Sequence, residues 1–182
     1  MDNKTTSDFD LLATIGNHIR EELEAKDDSW KESPFAWVRN LPPASKGKLG
    51  SRLIASWCGA RGLRIDSSPD SEADLMINGH RAEIKFSTLW KSGIYKYQQI
   101  RDQNYEYVIA LGISPHEAHC WVVSKEILKE FVIGHKPQHK GAKGKDTFWF
   151  EVKPTDPPSW LNGLGGTLDE ALPILKALSR KR

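Results

Sequence analysis

The chain has 182 residues and a formal net charge of +2 at pH 7, which is too slight to indicate nucleic-acid binding unless the basic residues are clustered. Its length fits one domain with a sizeable core plus an appendage. Two cysteines exclude a disulfide framework and a cysteine-based zinc site, no apolar run approaches the ~18 residues of a membrane span, and the start lacks a signal-peptide layout, so we expect a reduced, soluble, cytoplasmic protein.

The first predicted element is a helix over residues 8 to 25. Ser7 and Asp10 form a capping arrangement at its start. Its apolar residues then recur at helical spacing: Leu12, Ile15, Ile19 and Leu23. The stretch that follows mixes charged residues with three prolines and three large aromatics, which is typical of a long loop. We therefore treat residues 1 to 45 as a helical extension, whose aromatics hold the helix to the main domain or serve a dimer contact, and residues 46 to 182 as the main domain.

A second helix is predicted from Lys48, followed by a short strand at residues 63 to 66. Two glycines mark the end of this helix. Its apolar stripe consists of Leu49, Leu53, Ile54, Trp57 and Cys58. Lys46, Lys48 and Arg52 lie at or near its start, whereas residues 46 to 62 contain no carboxylate. The helix therefore brings positive charge, and no acidic ligand, to the elements that follow.

The next predicted element is a β-hairpin over residues 72 to 87, EADLMINGHRAEIKFS. Apolar and polar residues alternate on both sides of Asn78-Gly79, and an Asn-Gly pair in this setting is a strong signal for a two-residue type I′ turn. Such a turn fixes the register, with Ile77 facing His80.

This register separates an apolar face from a charged face. Side chains alternate along a strand, so Asp74, Glu83 and Lys85 share one face. The other face carries the apolar residues Leu75, Ile77, Ala82, Ile84 and Phe86. Asp74 is expected opposite Glu83, where two carboxylates repel each other, and Lys85 is expected opposite Glu72.

Two carboxylates directly opposite each other destabilise a sheet, and residues that depart from such local preferences tend to lie at functional sites. A divalent cation with oxygen ligands at about 2.0–2.6 Å turns the repulsion into coordination. With a lysine beside it, such an ion suits phosphodiester hydrolysis, because the metal binds the phosphate and a water while the amine positions or activates that water. The alternative is an ordinary half-exposed hairpin with a surface ion pair between Glu72 and Lys85.

At this point the chain resembles a known family. Asp74 and, after eight intervening residues, Glu83-Ile84-Lys85 on the second arm of a hairpin resemble the signature of the PD-(D/E)xK nuclease superfamily, which includes many type II restriction endonucleases. The family's proline before the first aspartate is Ala73 here, and another Pro-Asp pair, Pro69-Asp70, lies out of register with Glu83. The resemblance implies that Asp74, Glu83 and the backbone carbonyl of Ile84 bind Mg²⁺, for which Mn²⁺ substitutes, and that Lys85 serves the water.

Beyond the hairpin, the segment YQQIR, from Tyr97 to Arg101, resembles the helix that follows the Glu-x-Lys strand in restriction-like proteins. Gln98, Gln99 and Arg101 are then candidates for hydrogen bonds to DNA phosphates or base edges. The alternative is a solvated helix face. A continuous apolar run at residues 108 to 111 predicts a buried strand.

A basic segment over residues 134 to 146, GHKPQHKGAKGKD, is distinct in composition. It contains two histidines and four lysines, namely Lys136, Lys140, Lys143 and Lys145. Glycine and lysine together predict a flexible cationic loop that contacts the phosphate backbone of DNA. The alternative is a solvated, mobile loop. An aromatic, alternating strand at residues 147 to 152 anchors the end of this segment.

Two further helix starts are indicated by capping residues. Ser124 follows a predicted strand at residues 120 to 123 and is suited to cap a helix. Near the C-terminus, Thr167 and Glu170 form a capping box, although Pro173 disturbs a helix begun there. A start near Leu172 is the alternative.

Taken together, these elements predict an α/β fold with a mixed sheet flanked by helices, resembling the restriction-endonuclease-like fold over roughly residues 46 to 152. The resemblance suggests a Mg²⁺-dependent type II restriction endonuclease that cuts double-stranded DNA as a homodimer. A repair or recombination nuclease that recognises DNA shape is one alternative. A non-catalytic DNA-binding module or toxin-antitoxin-type partner is another, in which Asp74, Glu83 and Lys85 are surface charges.

Overall fold

The computed structural model describes residues 8–24, 28–138 and 146–178. Its helices are α1 (Asp8–Glu24), α2 (Pro43–Ala60), α3 (Lys125–Phe131) and α4 (Leu168–Ala177). Its strands are β1 (Ile65–Ser67), β2 (Leu75–Ile77), β3 (His80–Thr88), β4 (Tyr95–Ile100), β5 (Tyr107–Ile113), β6 (Ala118–Ser124), β7 (Phe148–Val152) and β8 (Gly165–Thr167).

The strands form two sheets. Six strands lie in the order β1-β2-β3-β5-β6-β8, and β4 pairs with β7 in a separate two-stranded sheet. Within the described residues, β3 and β5 are the one parallel pair, and the other pairs are antiparallel. The predicted fold class, a mixed α/β sheet flanked by helices, is therefore confirmed.

The six-stranded sheet is a middle layer with a core on each face. Alternate residues of β5 point to opposite sides, because side chains alternate along a strand. Val108 and Ala110 pack with the β4–β7 sheet and α3, whereas Ile109 and Leu111 pack with α2 and α4. Burial on both faces explains why β5 is a continuous apolar run, as parallel strands in a sheet centre commonly are. This double burial fixes β3, the neighbour of β5, on which the candidate site lies.

The predicted hairpin and its register are confirmed. Leu75 pairs with Ala82, Met76 with Arg81 and Ile77 with His80. Asn78 and Gly79 have φ angles of 52° and 86°, and positive φ at both central residues defines a type I′ turn. Asn78 is buried, and its Oδ1 accepts a hydrogen bond from the backbone N–H of Arg64 at 3.0 Å. The turn is thus tied to the chain just before β1.

The predicted helix over Tyr97 to Arg101 is wrong, since this segment lies in and directly after β4. Tyr95, Tyr97 and Ile100 are buried in the core, while the two glutamines between them are exposed. Two consecutive exposed residues are accommodated because the register of β4 on β7 shifts between Tyr97 and Ile100. Gln99 has a φ of 56° at this irregularity. A bulge, rather than a helical turn, produces the spacing.

Helix α2 begins at a different residue from the one predicted, whereas α4 begins at its predicted capping box. Helix α2 begins at Pro43, five residues before Lys48, because a proline suits the first helical position. Helix α4 begins directly after Thr167, so the alternative start near Leu172 is wrong. Both hydrogen bonds of the capping box are formed between Thr167 and Glu170. These two hydrogen bonds stabilise the start of α4. Their contribution offsets the loss of the backbone hydrogen bond that Pro173 cannot donate.

Helix α1 is confirmed over Asp8–Glu24, and Ser7, its predicted cap, lies outside the described residues. Its apolar side chains are exposed, including Phe9, Leu11, Leu12, Ile15 and Ile19. In the loop that follows, Trp30 is buried and lies 5.6 Å from the Arg39 guanidinium. Ser124 caps α3 as predicted. No helix in the described ranges combines the length and apolar character needed to cross a membrane.

We predict that Gly79→Val destabilises the protein by about 1–3 kcal/mol, because a β-branched residue is strained at a φ of 86°. Urea unfolding of the variant measures this change. The matched control is Gly59→Ala in α2, where the backbone is helical and the added Cβ meets no atom within 4 Å apart from its chain neighbours and the backbone of its own helix. Because the control also lowers the entropy of the unfolded chain, we expect it to be neutral or slightly stabilising. Wild-type stability of Gly79→Val would show that the turn is not needed for the register.

Candidate active site

The structure brings the three predicted catalytic residues to one open cleft of about 480 Å³. Asp74 lies just before β2, and Glu83 and Lys85 lie on β3. The remaining lining residues are Gly47, Lys48, Ser51 and Arg52 of α2, together with Ile84. The cleft therefore combines two carboxylates with three basic side chains.

Asp74 is held by the backbone of β3. The ladder between β2 and β3 ends at Leu75 and Ala82, one pair short of Asp74 and Glu83. The Asp74 N–H donates to the Ala82 carbonyl at 3.0 Å, and Asp74 Oδ2 accepts from the Ile84 N–H at 2.7 Å. The side chain thus replaces the next ladder hydrogen bond. This contact orients the carboxylate toward the cleft although the residue is exposed.

Lys85 is bound on two sides. Its Nζ lies 2.6 Å from Glu83 Oε1 and donates to the Gln99 carbonyl at 2.8 Å. The side chains of Glu83 and Lys85 are only 15% and 13% exposed, because β4 covers this face of β3. The alternative surface pair with Glu72 is not formed: Glu72 Oε2 accepts from the Asn104 N–H at 2.9 Å. An ordinary half-exposed charged hairpin does not describe this arrangement.

Gln99 contributes to the site through its backbone. Its positive φ costs about 1–3 kcal/mol in a residue other than glycine, so the surrounding contacts must hold it. The Gln99 N–H donates to Gln138 Oε1 at 2.8 Å, and its carbonyl accepts from Lys85. Sequence reasoning assigned Gln99 a side-chain role and missed both this backbone role and Gln138. No local sequence signal marks a bulge with positive φ at a glutamine.

Burial raises the pKa of the Glu83 carboxyl above its ordinary value. The neighbouring charges of Lys85 and Arg101 oppose this shift, whereas the charge of Asp74 adds to it. Like charges and desolvation both disfavour the ionised form of a carboxyl. Ionisation of Glu83 in the cleft therefore costs free energy, and a bound cation would reduce this cost.

The donor set of the cleft fits a hard divalent cation. Among the described residues, neither Asp74 Oδ1 nor Glu83 Oε2 has a hydrogen-bond partner, so one oxygen of each carboxylate is available. Carboxylate oxygens are the ligands that Mg²⁺ prefers, and Mg²⁺ commonly binds through one or two of them while keeping several waters. The described ranges contain no group of three or more His, Cys, Asp or Glu side chains placed to bind a metal. Two carboxylates are thus what the cleft offers.

The second Pro-Asp pair takes no part in the cleft. Asp70 forms an ion pair with Arg81, and its Oδ1 accepts from the Glu72 N–H at 2.9 Å. The Arg81 hydrogen bond is the main reason that the pKa of the Asp70 carboxyl is lowered. The choice of Asp74 over Asp70 as the first acidic residue agrees with this geometry.

The predicted DNA-binding residues are only partly described. Gln98 and Gln99 are exposed on β4, and Arg101 is exposed just beyond it, near Glu83. Lys136 is exposed, whereas Lys140, Lys143 and Lys145 lie outside the described residues. Lys48 and Arg52 were noted in the sequence as basic residues at the start of a helix, without a role. The structure places both at the cleft.

The fold and the cleft define a mixed α/β protein with a site of two carboxylates and a lysine. No family model and no curated protein matches the chain. Among solved structures, the chain is similar to a bacterial homing endonuclease, I-Ssp6803I, with 14% sequence identity and a TM-score of 0.49. The similarity covers 75% of this chain and 95% of that one.

We predict that Glu83→Gln stabilises the metal-free protein at pH 8, because the raised pKa of Glu83 means that its ionisation opposes folding. In the wild type, protonated Glu83 contributes to the stability of the folded state. This contribution is fully present below the ordinary carboxyl pKa and is lost as the pH rises through the raised pKa. The gain of the variant should therefore disappear at pH 4. Urea unfolding in EDTA at both pH values measures it.

Glu72→Gln, which removes an exposed carboxylate outside the cleft, controls for the loss of one charge. If both carboxylates are needed to bind Mg²⁺, added Mg²⁺ should raise the stability of the wild type and not that of Glu83→Gln, because a ligand that binds only the folded state stabilises it. A Glu83→Gln protein that is less stable than the wild type at pH 8 would mean that Glu83 serves mainly as the ion-pair partner of Lys85.

Proposed function

We propose that the protein is a metal-dependent endonuclease that hydrolyses phosphodiester bonds in double-stranded DNA. The observation that supports this most strongly is the convergence of Asp74, Glu83 and Lys85 on one open cleft with Lys48 and Arg52 at its side. Acidic residues that suit a cation lie beside basic residues that suit a phosphate. This pairing suits metal-assisted phosphodiester hydrolysis.

In this proposal Mg²⁺, or Mn²⁺ in its place, is held by Asp74 and Glu83, with the backbone carbonyl of Ile84 as a third ligand. When bound, the ion supplies charge stabilisation at the phosphate and lowers the pKa of a bound water. Each of the two carboxylates keeps one oxygen for it, because the other is engaged with Ile84 N–H or Lys85.

Lys85 is suited to hold the attacking water. A lysine ammonium has three N–H donors, of which two are directed to Glu83 and to the Gln99 carbonyl. The third is then free to donate to a water or to a phosphate oxygen in the cleft. Lys48 and Arg52 bind the non-bridging oxygens of the phosphate, and Arg in particular matches phosphate geometry with paired donors.

Residues around the cleft extend the proposed DNA contact. Gln98, Gln99 and Arg101 are exposed next to Glu83 and Lys85, where they can reach phosphates or base edges of a duplex. The lysines of the basic segment add sequence-independent affinity for DNA, and one of them, Lys136, is exposed. In the finer form of the proposal the enzyme is a sequence-specific type II restriction endonuclease. It acts as a homodimer, because cutting both strands of a symmetric site requires two active sites related by a two-fold axis.

We predict that Lys85→Met lowers the rate of DNA cleavage by about 100-fold or more, since it removes the donor that positions the water. Methionine keeps the aliphatic volume of this mostly buried side chain, and circular dichroism checks that the variant folds. The assay uses supercoiled plasmid DNA of mixed sequence with Mg²⁺ or Mn²⁺, with EDTA as the metal-free reference. Direct conversion to linear product reports paired active sites, and nicked product reports single ones.

Lys153→Ala, at an exposed lysine that lines a different cleft, is the matched control and should cleave like the wild type. The hydrolytic proposal is contradicted by cleavage that persists in EDTA or by full activity of Lys85→Met. A wild-type protein that binds duplex DNA and cuts none of the tested plasmids with either metal also contradicts it, in favour of a non-catalytic DNA-binding module.

We predict that replacing Lys136, Lys140, Lys143 and Lys145 by alanine weakens duplex binding and its salt dependence. For every DNA phosphate that is no longer neutralised by a lysine, the slope of log affinity against log salt should fall by about 0.9. Fluorescence anisotropy in EDTA measures affinity apart from cleavage. A variant at two exposed lysines elsewhere, Lys153→Ala/Lys176→Ala, should keep the wild-type slope. An unchanged slope in the four-lysine variant would support the alternative that the basic segment is a solvated loop without DNA contacts.

A further inference from the structure

A second open cleft, of about 610 Å³, shares no lining residue with the candidate active site. Three of its lining residues are basic, namely Arg39, Lys46 and Lys91, and two others, Thr88 and Ser92, carry hydroxyl groups. No carboxylate is found among the described residues that line it. Lys46 and Lys91 bring positive charge to this pocket, and with the two hydroxyl groups they provide donors suited to an anion.

One lining residue of this cleft, Trp90, lies in a tight turn. The Trp90 N–H donates to the Ile94 carbonyl and the Gly93 N–H donates to the Trp90 carbonyl, both at 2.9 Å, which closes a tight turn. Trp90 is 49% exposed, and Lys96 Nζ lies 4.3 Å from the centroid of its ring. A large exposed ring on a fixed turn sacrifices little conformational entropy when it contacts a ligand.

The two clefts adjoin each other in the fold. Lys46 lines the second cleft, whereas its neighbours Gly47 and Lys48 line the first, so the start of α2 separates them. Strand β3 also connects them, because Lys85 lies in the first cleft and Thr88 in the second. At about 3.3 Å per residue, this separation along the strand is about 10 Å. That length corresponds to about three nucleotides of one strand in duplex DNA.

We propose that the second cleft binds the sugar-phosphate backbone of the same DNA duplex, about three nucleotides from the phosphate in the candidate active site. Lys46 and Lys91 contact phosphates, and the exposed Trp90 side chain contacts a deoxyribose. This inference depends on the proposed function for its substrate. It adds a binding subsite that neither the hairpin motif nor the basic segment contains.

The test measures binding of a mixed-sequence duplex of about 30 base pairs by fluorescence anisotropy in EDTA, so that cleavage has no influence on the result. Lys46→Ala/Lys91→Ala should weaken binding and lower the salt slope by about 0.9 for each lysine. Trp90→Ala should weaken binding severalfold with little change in the slope, and Trp90→Phe should restore most of the affinity. Because Lys46 also donates to the Arg39 carbonyl, the single variant of the exposed Lys91 guards against a folding defect.

The subsite is contradicted if Lys91→Ala and the double variant both keep the wild-type affinity and slope. It is also contradicted if these variants bind single-stranded DNA more weakly than the wild type but bind the duplex equally well. Lys153→Ala/Lys176→Ala is again the matched control. Failure of the nuclease proposal is read from plasmid cleavage, whereas failure of this one is read from binding without metal. The two failures are therefore distinguishable.

Discussion

The candidate site depends on the contacts of the Lys85 ammonium, which joins the two sheets of the protein. Lys85 and Glu83 belong to the six-stranded sheet, and Gln99, whose carbonyl accepts from Lys85, belongs to β4. A charge that is 13% exposed is tolerated when it is paired and hydrogen-bonded, and both conditions are met here. The same contacts fix Nζ relative to the cleft before any substrate arrives. Preorganisation of this kind is what a site for charge stabilisation needs.

The strained backbone at Gln99 links this lysine to the neighbouring basic segment. Gln99 keeps a positive φ because its N–H is bound by Gln138 and its carbonyl by Lys85. Gln138 stands two residues after Lys136, within the basic segment. A contiguous series of hydrogen bonds therefore runs from the segment that we propose to hold the DNA backbone to the lysine that we propose to hold the water. Strain of this size persists where the surroundings over-determine the conformation, as they do at this bulge.

Local chemistry made the hairpin predictable, because Asn78-Gly79 specifies the turn and the turn specifies the register. The convergence of Asp74, Glu83 and Lys85 followed from that register alone. The point at which the β2–β3 ladder ends could not be predicted in this way. The Asp74 side chain competes with backbone groups for the Ile84 N–H, as short polar side chains often do. The helix expected at YQQIR was wrong because this segment, with Tyr95 two residues before Tyr97 and two polar glutamines after it, suits several conformations. Tertiary packing against β7 decided among them.

The charges around the cleft make cation binding and phosphate binding interdependent. Asp74 and Glu83 repel a phosphate, while Lys48, Arg52 and Lys85 attract one at nearly the same place. A bound divalent cation cancels the repulsion, and a bound phosphate in turn supplies oxygen ligands to a site that has two carboxylates and no carboxylate from α2. By linkage, each ligand must raise the affinity for the other by the same factor. Under the proposed function, metal therefore binds weakly to the free protein and more tightly when DNA occupies the cleft.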